Sequence, residues 1–122
     1  NMIGMEENKI ITIYHNNSCS KSRIALAELA KCGEDFEVVN YLEEVPSVEL
    51  LKEIVAKLGI KPFELVRKTE KVYLDSFKDK DLSDEEWIIA MHENPILIQR
   101  PILVKGDVAV IGRSEDALDE VI

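Results

Sequence analysis

Cys19 stands in the stretch His15 to Arg23, HNNSCSKSR, between a short apolar run and a segment rich in alanine and leucine. A cysteine used only as a small apolar side chain has apolar neighbours, whereas this one is followed by Ser20, Lys21, Ser22 and Arg23. It falls where a strand hands over to a helix. The unpaired N–H groups and the dipole of a helix N-terminus favour an anion and so lower a thiol pKa. Because the thiolate is the nucleophilic form, that position makes Cys19 a candidate nucleophile. Ser22 is close enough in sequence for its hydroxyl to donate to the sulfur. His15 can add a second donor or a charge, and Lys21 and Arg23 add positive charge.

The spacing narrows the chemistry further. A redox C-x-x-C pair would place its second sulfur at position 22, which is Ser22, so an internal disulfide of that kind is excluded. Cys32 lies 13 residues beyond Cys19. If most of that span is helical, at about 1.5 Å of rise per residue the sulfurs are roughly 20 Å apart. The Cα atoms of a disulfide are usually within about 7 Å. Cys32 therefore reads as a structural residue, and Cys19 as a lone thiol that needs an external thiol to turn over.

Three arginines complete the set of candidates. Arg67 in ELVRK, Arg100 in ILIQRP and Arg113 in VIGRSE each follow apolar residues, an unusual place for a guanidinium without a partner. Each could cap a carbonyl or pair with one of the 24 acidic residues. Together with the cysteine loop they suggest a planar set of donors for a tetrahedral oxyanion. The net charge of −9 gives that point weight, since an acidic chain needs a local basic cluster to hold an anion. The same charge argues against nucleic acid as a partner.

The elements that must position these residues are legible in outline. With 122 residues and 46% hydrophobic content, the chain fits one compact domain. Residues 1–8 read as a polar tail without the apolar core of a signal peptide, and residues 9–122 as the domain. Lys9 to Tyr14 reads as a buried strand, Ser22 to Lys31 as a helix stopped by Gly33, and Phe36 to Tyr41 as a second strand. This βαβ unit implies a parallel pair with a right-handed crossover. Ser47 can cap a helix carrying Leu51, Ile54, Val55 and Leu58, ended by Gly59, and Pro62 can start a shorter one. Ser83 and Glu86 form a capping-box signature, and Pro95 bounds the helix that follows. Ile102 to Val104 and Val108 to Ile111 flank Gly106-Asp107, a hairpin-type pair, and Ser114 can cap a last helix. No apolar run reaches the roughly 18 residues of a membrane span. Two cysteines are too few for a disulfide scaffold and fit a reducing cytosol, so a cytoplasmic location is expected.

The segments YHNNSCSKSR, LVRK, NPILIQRPI and IGRSED resemble, in order, the glutaredoxin-coupled arsenate reductases of the ArsC family. The resemblance covers about Lys9 to Ile122. It implies an α/β, thioredoxin-like (glutaredoxin-like) fold: a mixed four-stranded sheet, βαβ–ββα, with a helical insertion at about 47–95 between the halves. By position it implies Cys19 as the nucleophile toward arsenate, Ser22 and His15 as residues that tune it, and Arg67, Arg100 and Arg113 as oxyanion-binding residues. It also implies a structural cis-proline at Pro101. Glutathione as co-substrate and glutaredoxin as recycling partner are implied, with no tightly bound cofactor and no metal. Asn17-Ser18 departs from the Pro-Ala often found before the cysteine in this family, which changes the stiffness and polarity of the loop. Two other readings stay open: a glutathione-dependent thiol reductase of the same fold, and a binding module resembling the Spx regulators that contact RNA polymerase. The redox-sensing Spx proteins use a C-x-x-C pair, which Ser22 removes here.

Overall fold

In the computed structural model, which describes residues 10–122, the β-branched run after Lys9 forms strand β1, Ile11–His15. The expected tail at residues 1–8 and the expected strand start at Lys9 lie outside the described residues. Helix α1 spans Ser20–Cys32 and strand β2 Phe36–Asn40. Strands β3, Ile102–Lys105, and β4, Val108–Ile111, form the hairpin. The sheet order is β2-β1-β3-β4, with β1 parallel to β2 and antiparallel to β3, and β3 antiparallel to β4. The sheet is therefore mixed, and β1 is paired along both edges.

By its contacts the chain divides into two compact units, one running to Asn40 and resuming at Arg100–Ile122, the other Tyr41–Gln99. The helical insertion expected at about 47–95 falls within the second.

The first unit holds the whole sheet. Ile11 and Ile13 alternate with Thr12 and Tyr14, which take the other face of β1, and are fully buried. They pack with Ala25 and Leu29 of α1 (residues i and i+4 on one helical face), with Leu103 and Val110 of the hairpin, and with Leu118. Gly33 ends α1 in the left-handed conformation, φ 78°, which glycine adopts without Cβ strain. At Gly112 the reason for glycine is space. An added Cβ would lie 2.8 Å from Leu103 Cδ1 and 3.0 Å from Leu118 Cδ2. The last helix, α5, is Glu115–Asp119, with Ser114 Oγ accepting from Ala117 N at 3.2 Å.

The second unit is helical. Helix α2, Val48–Leu58, begins where Ser47 Oγ accepts from Leu50 N and buries Leu51, Ile54 and Val55. A 3-10 turn follows at Pro62–Leu65, then α3, Lys71–Ser76, and α4, Asp84–Glu93. The capping box is formed as expected: Glu86 N donates to Ser83 Oγ and Ser83 N to Glu86 Oε1. Trp87 centres an aromatic cluster, with ring centroids 5.0 Å from Phe63, 5.9 Å from Phe77 and 6.3 Å from Tyr73.

Candidate active site

The site is built at the carboxyl end of β1. His15 is the last residue of the strand, and the chain then turns through Asn16, Asn17 and Ser18 to Cys19, the N-cap of α1. Asn16 is 2% exposed and organises the turn. Its Oδ1 accepts from Ser18 N at 2.9 Å, its carbonyl accepts from Cys19 N at 3.0 Å, and its own N–H donates to Ser22 Oγ at 3.3 Å. Asn17 is held from two sides. Its carbonyl accepts from Arg23 Nη1 at 2.9 Å, and its Oδ1 lies 3.2 Å from His15 Nε2. An amide oxygen only accepts, so Nε2 is the donor in that contact. His15 is buried, and its Nδ1 has no hydrogen-bond partner among the described residues.

Helix α1 begins at Ser20, two residues earlier than the sequence suggested, and this puts Cys19 at the cap itself. Its sulfur forms no ordinary capping hydrogen bond, and the first turn carries no acidic side chain. The N-terminal field therefore acts on the thiol without competition from a carboxylate. Partial burial alone would push the Cys19 thiol up. The N–H groups of Ser22 and Lys21, with the charge and a hydrogen bond of the Arg100 guanidinium, outweigh that burial, and the pKa lies below the ordinary thiol value. The balance shifts the thiol toward its thiolate.

The sequence expectation gave Ser22 a hydroxyl bond to the sulfur. In the structure Ser22 acts on the thiol through its backbone N–H, while its fully buried Oγ accepts from Asn16 N. Of the three arginines, Arg100 is brought to the sulfur; it is 7% exposed, and the Arg100–Pro101 peptide is cis. Arg113 follows β4 with its N–H on Ile111 O at 2.9 Å, and its exposed side chain lines a cleft beside α1. Arg67 belongs to the other unit. Its N–H donates to Leu97 O beside the Val66–Ile98 bridge, and its Nη1 pairs with Glu70 Oε2 at 2.6 Å. Cys32, at the far end of α1, is a free thiol whose Sγ donates to Leu29 O at 3.1 Å. Asn16 was missed as a site residue. The signal for it was the Asn-Asn-Ser run, whose side chains favour local turns.

A mixed four-stranded sheet with one cysteine at the N-cap of its first helix and a cis-proline directly before β3 defines a protein of the thioredoxin-like fold class. The sequence model of the ArsC family matches residues 14–121, and the chain belongs to that family. The arsenate reductase of Haemophilus influenzae is 39% identical over 114 residues, covering 92% of this chain and 98% of its own. The Escherichia coli K12 protein YfgD, of uncharacterized function, is 40% identical over 116 residues, covering 93% and 98%. Among solved structures, the arsenate reductase from Vibrio cholerae superposes with a TM-score of 0.87 at 40% identity, over 93% of this chain and 98% of that one. The described residues include no helix long and apolar enough to cross a membrane.

Proposed function

We propose that this protein reduces arsenate to arsenite through Cys19 as the sole nucleophile, with glutathione and glutaredoxin as external reductants in the cytoplasm. The observation that carries the reading is a thiol held toward its anionic form at a helix cap beside a buried arginine. Similarity to proteins named arsenate reductase supports the substrate.

The chemistry follows from that arrangement. The Cys19 thiolate attacks the arsenic of dihydrogen arsenate, a sulfur–arsenic bond forms, and hydroxide leaves with the electrons of the broken As–O bond. Arsenic remains As(V). Arg100 offsets the negative charge carried by the oxyanion as the thiolate approaches. Glutathione thiolate then attacks the Cys19 sulfur. The electron pair of the S–As bond passes to arsenic, which leaves as As(III) arsenite and takes up the proton that the incoming thiol gave up. Each sulfur has lost one electron, and Cys19 is left in a mixed disulfide with glutathione. A glutaredoxin thiol attacks the glutathione sulfur and restores the Cys19 thiolate. With Ser22 in the position where a resolving sulfur would stand, this last step is assigned to an outside thiol. His15 and Ser22 are proposed, from the cysteine-loop motif, to tune the nucleophile. Arg113 and Arg67 are proposed, from their motifs, to bind the oxyanion.

The test is NADPH consumption through glutathione reductase in the presence of glutathione and glutaredoxin. Consumption that depends on arsenate, and is lost in Cys19→Ser, supports the reading. Folded protein with a free thiol and no arsenate-dependent rate rejects it.

A further inference from the structure

Asn17 is exposed, yet it is bonded to the elements on both sides of the cysteine loop. Its Oδ1 lies 3.2 Å from Nε2 of His15, the last residue of β1. Its carbonyl accepts from Nη1 of Arg23, in the first turn of α1, at 2.9 Å. Arg23 also donates its backbone N–H to the carbonyl of Cys19 at 3.1 Å. One arginine therefore grips the chain at Asn17 with its side chain and at Cys19 with its backbone. Asn16, Asn17 and Ser18 join β1 to the cap, and none of them is a proline, so the stiffness of this link rests on hydrogen bonds.

The His15 ring fixes the sense of the first contact. His15 is 5% exposed, and its Nδ1 has no partner among the described residues. Were the Asn17 amide the donor, the neutral ring would carry its hydrogen on Nδ1, and a buried donor left unmet is costly. With the hydrogen on Nε2, the ring donates to Asn17 Oδ1 and Nδ1 keeps only a lone pair. The donor that the sequence offered to the sulfur is thus spent on the loop. The groups that lower the Cys19 pKa are the N–H groups of Ser22 and Lys21 and the Arg100 guanidinium. His15 reaches the sulfur through Asn17.

We propose that Asn17 is a positioning residue for the Cys19 nucleophile: it braces the end of β1 against the first turn of α1, with its side chain on the His15 ring and its carbonyl on Arg23. A nucleophile gains rate when its approach is fixed before the electrophile arrives, and the brace supplies that fixing without touching the reacting atoms. The same brace keeps the cap in the geometry at which the N–H groups of Lys21 and Ser22 act on the sulfur. The inference deepens the function proposed above and rests on it for the reaction that Cys19 performs. The brace itself is read from the reactivity of the thiol toward any electrophile.

The experiment follows alkylation of Cys19 by iodoacetamide against pH in the wild type, Asn17→Ala and His15→Gln. Asn17 is exposed, so its truncation leaves the core intact. Asn17→Ala should slow alkylation at pH 6 by about three- to tenfold and move the profile to higher pH. A glutamine amide donates from near the place of Nε2 and does not titrate, so His15→Gln should stay within about twofold of the wild type. An Asn17→Ala profile that superposes on the wild type overturns the proposal, as does a His15→Gln loss as large as that of Asn17→Ala. A second measurement reads the contact directly, through the ring nitrogen shifts of His15. The wild type should carry its hydrogen on Nε2 and Asn17→Ala a mixture of the two tautomers; a hydrogen on Nδ1 in the wild type overturns the brace. Neither readout uses arsenate. Absence of arsenate turnover therefore rejects the proposed function and leaves the brace to stand or fall on these two results.

Discussion

Two helix N-termini in this molecule solve the same problem in opposite ways. Helix α4 begins with Ser83, whose side chain accepts from Glu86 N, and Glu86 reaches back to Ser83 N. Its first turn adds Asp84 and Glu85. Helix α1 begins with Cys19, whose sulfur makes no ordinary capping hydrogen bond, and its first turn has no acidic residue. In both cases backbone N–H groups lower the pKa of an acid, Glu86 in one and Cys19 in the other. At α4 the field is consumed by the chain's own carboxylates, and the result is a well-anchored helix. At α1 it is left to a thiol and to whatever anion comes near. A cap that is poor for stability is what makes a nucleophile available.

The largest effect expected from breaking this contrast is on turnover. Cys19→Ser should reduce arsenate-dependent NADPH consumption by roughly a thousandfold or more, since no second thiol takes its place. Arg100→Ala should come next. Losing a hydrogen bond to a charged group, about 1.5–3 kcal/mol, should slow alkylation of Cys19 at pH 6 by about ten- to a hundredfold and shift its pH profile upward. An unchanged profile would remove Arg100 from the account of the thiolate.

Smaller effects concern stability. Ser83→Ala should cost about 1 kcal/mol in urea unfolding, the usual value of a lost N-cap. Cys19→Ser should do the reverse at α1, raising stability by about 0.5–1 kcal/mol at pH 6 because serine is a preferred cap. A destabilised Cys19→Ser would mean that the α1 cap is not spared for function.

The pH dependence sharpens the pair further. A group whose folded pKa is depressed releases its proton earlier in the folded than in the unfolded chain, so stability rises with pH between the two values. For Cys19 this contribution is complete above the unfolded thiol value, about 8.5, and is lost as pH falls through the depressed folded one. For Glu86 the same loss occurs in acid, below the usual carboxylate value of about 4.3. Subtracting the unfolding curve of Cys19→Ser from that of the wild type should leave a slope in the first window only. Subtracting that of Glu86→Gln should leave one in the second only.

Much of this was readable from residue types. The β-branched run of β1, the Gly106-Asp107 turn, and the Ser47, Ser83 and Ser114 caps are local signals, and local backbone chemistry decides them. Helix α3 was not read. It is six residues long, and its buried Tyr73 stacks near Trp87, a contact from distant sequence that no propensity encodes. At the site the residue types were legible and their atoms were not. Ser22 was recognised, but whether its N–H or its hydroxyl meets the sulfur depends on where α1 starts, and helix boundaries are set by packing as well as by sequence. Asn16 was overlooked because its work is done with backbone and side chain together, inside a turn that sequence marks only as polar.

β1 is hydrogen-bonded on both edges, to β2 and to β3, and its inward side chains are wholly excluded from water. Amides of such a strand exchange with solvent only when the sheet as a whole opens. The turn that presents Cys19 therefore leaves a strand whose own amides open only with its sheet.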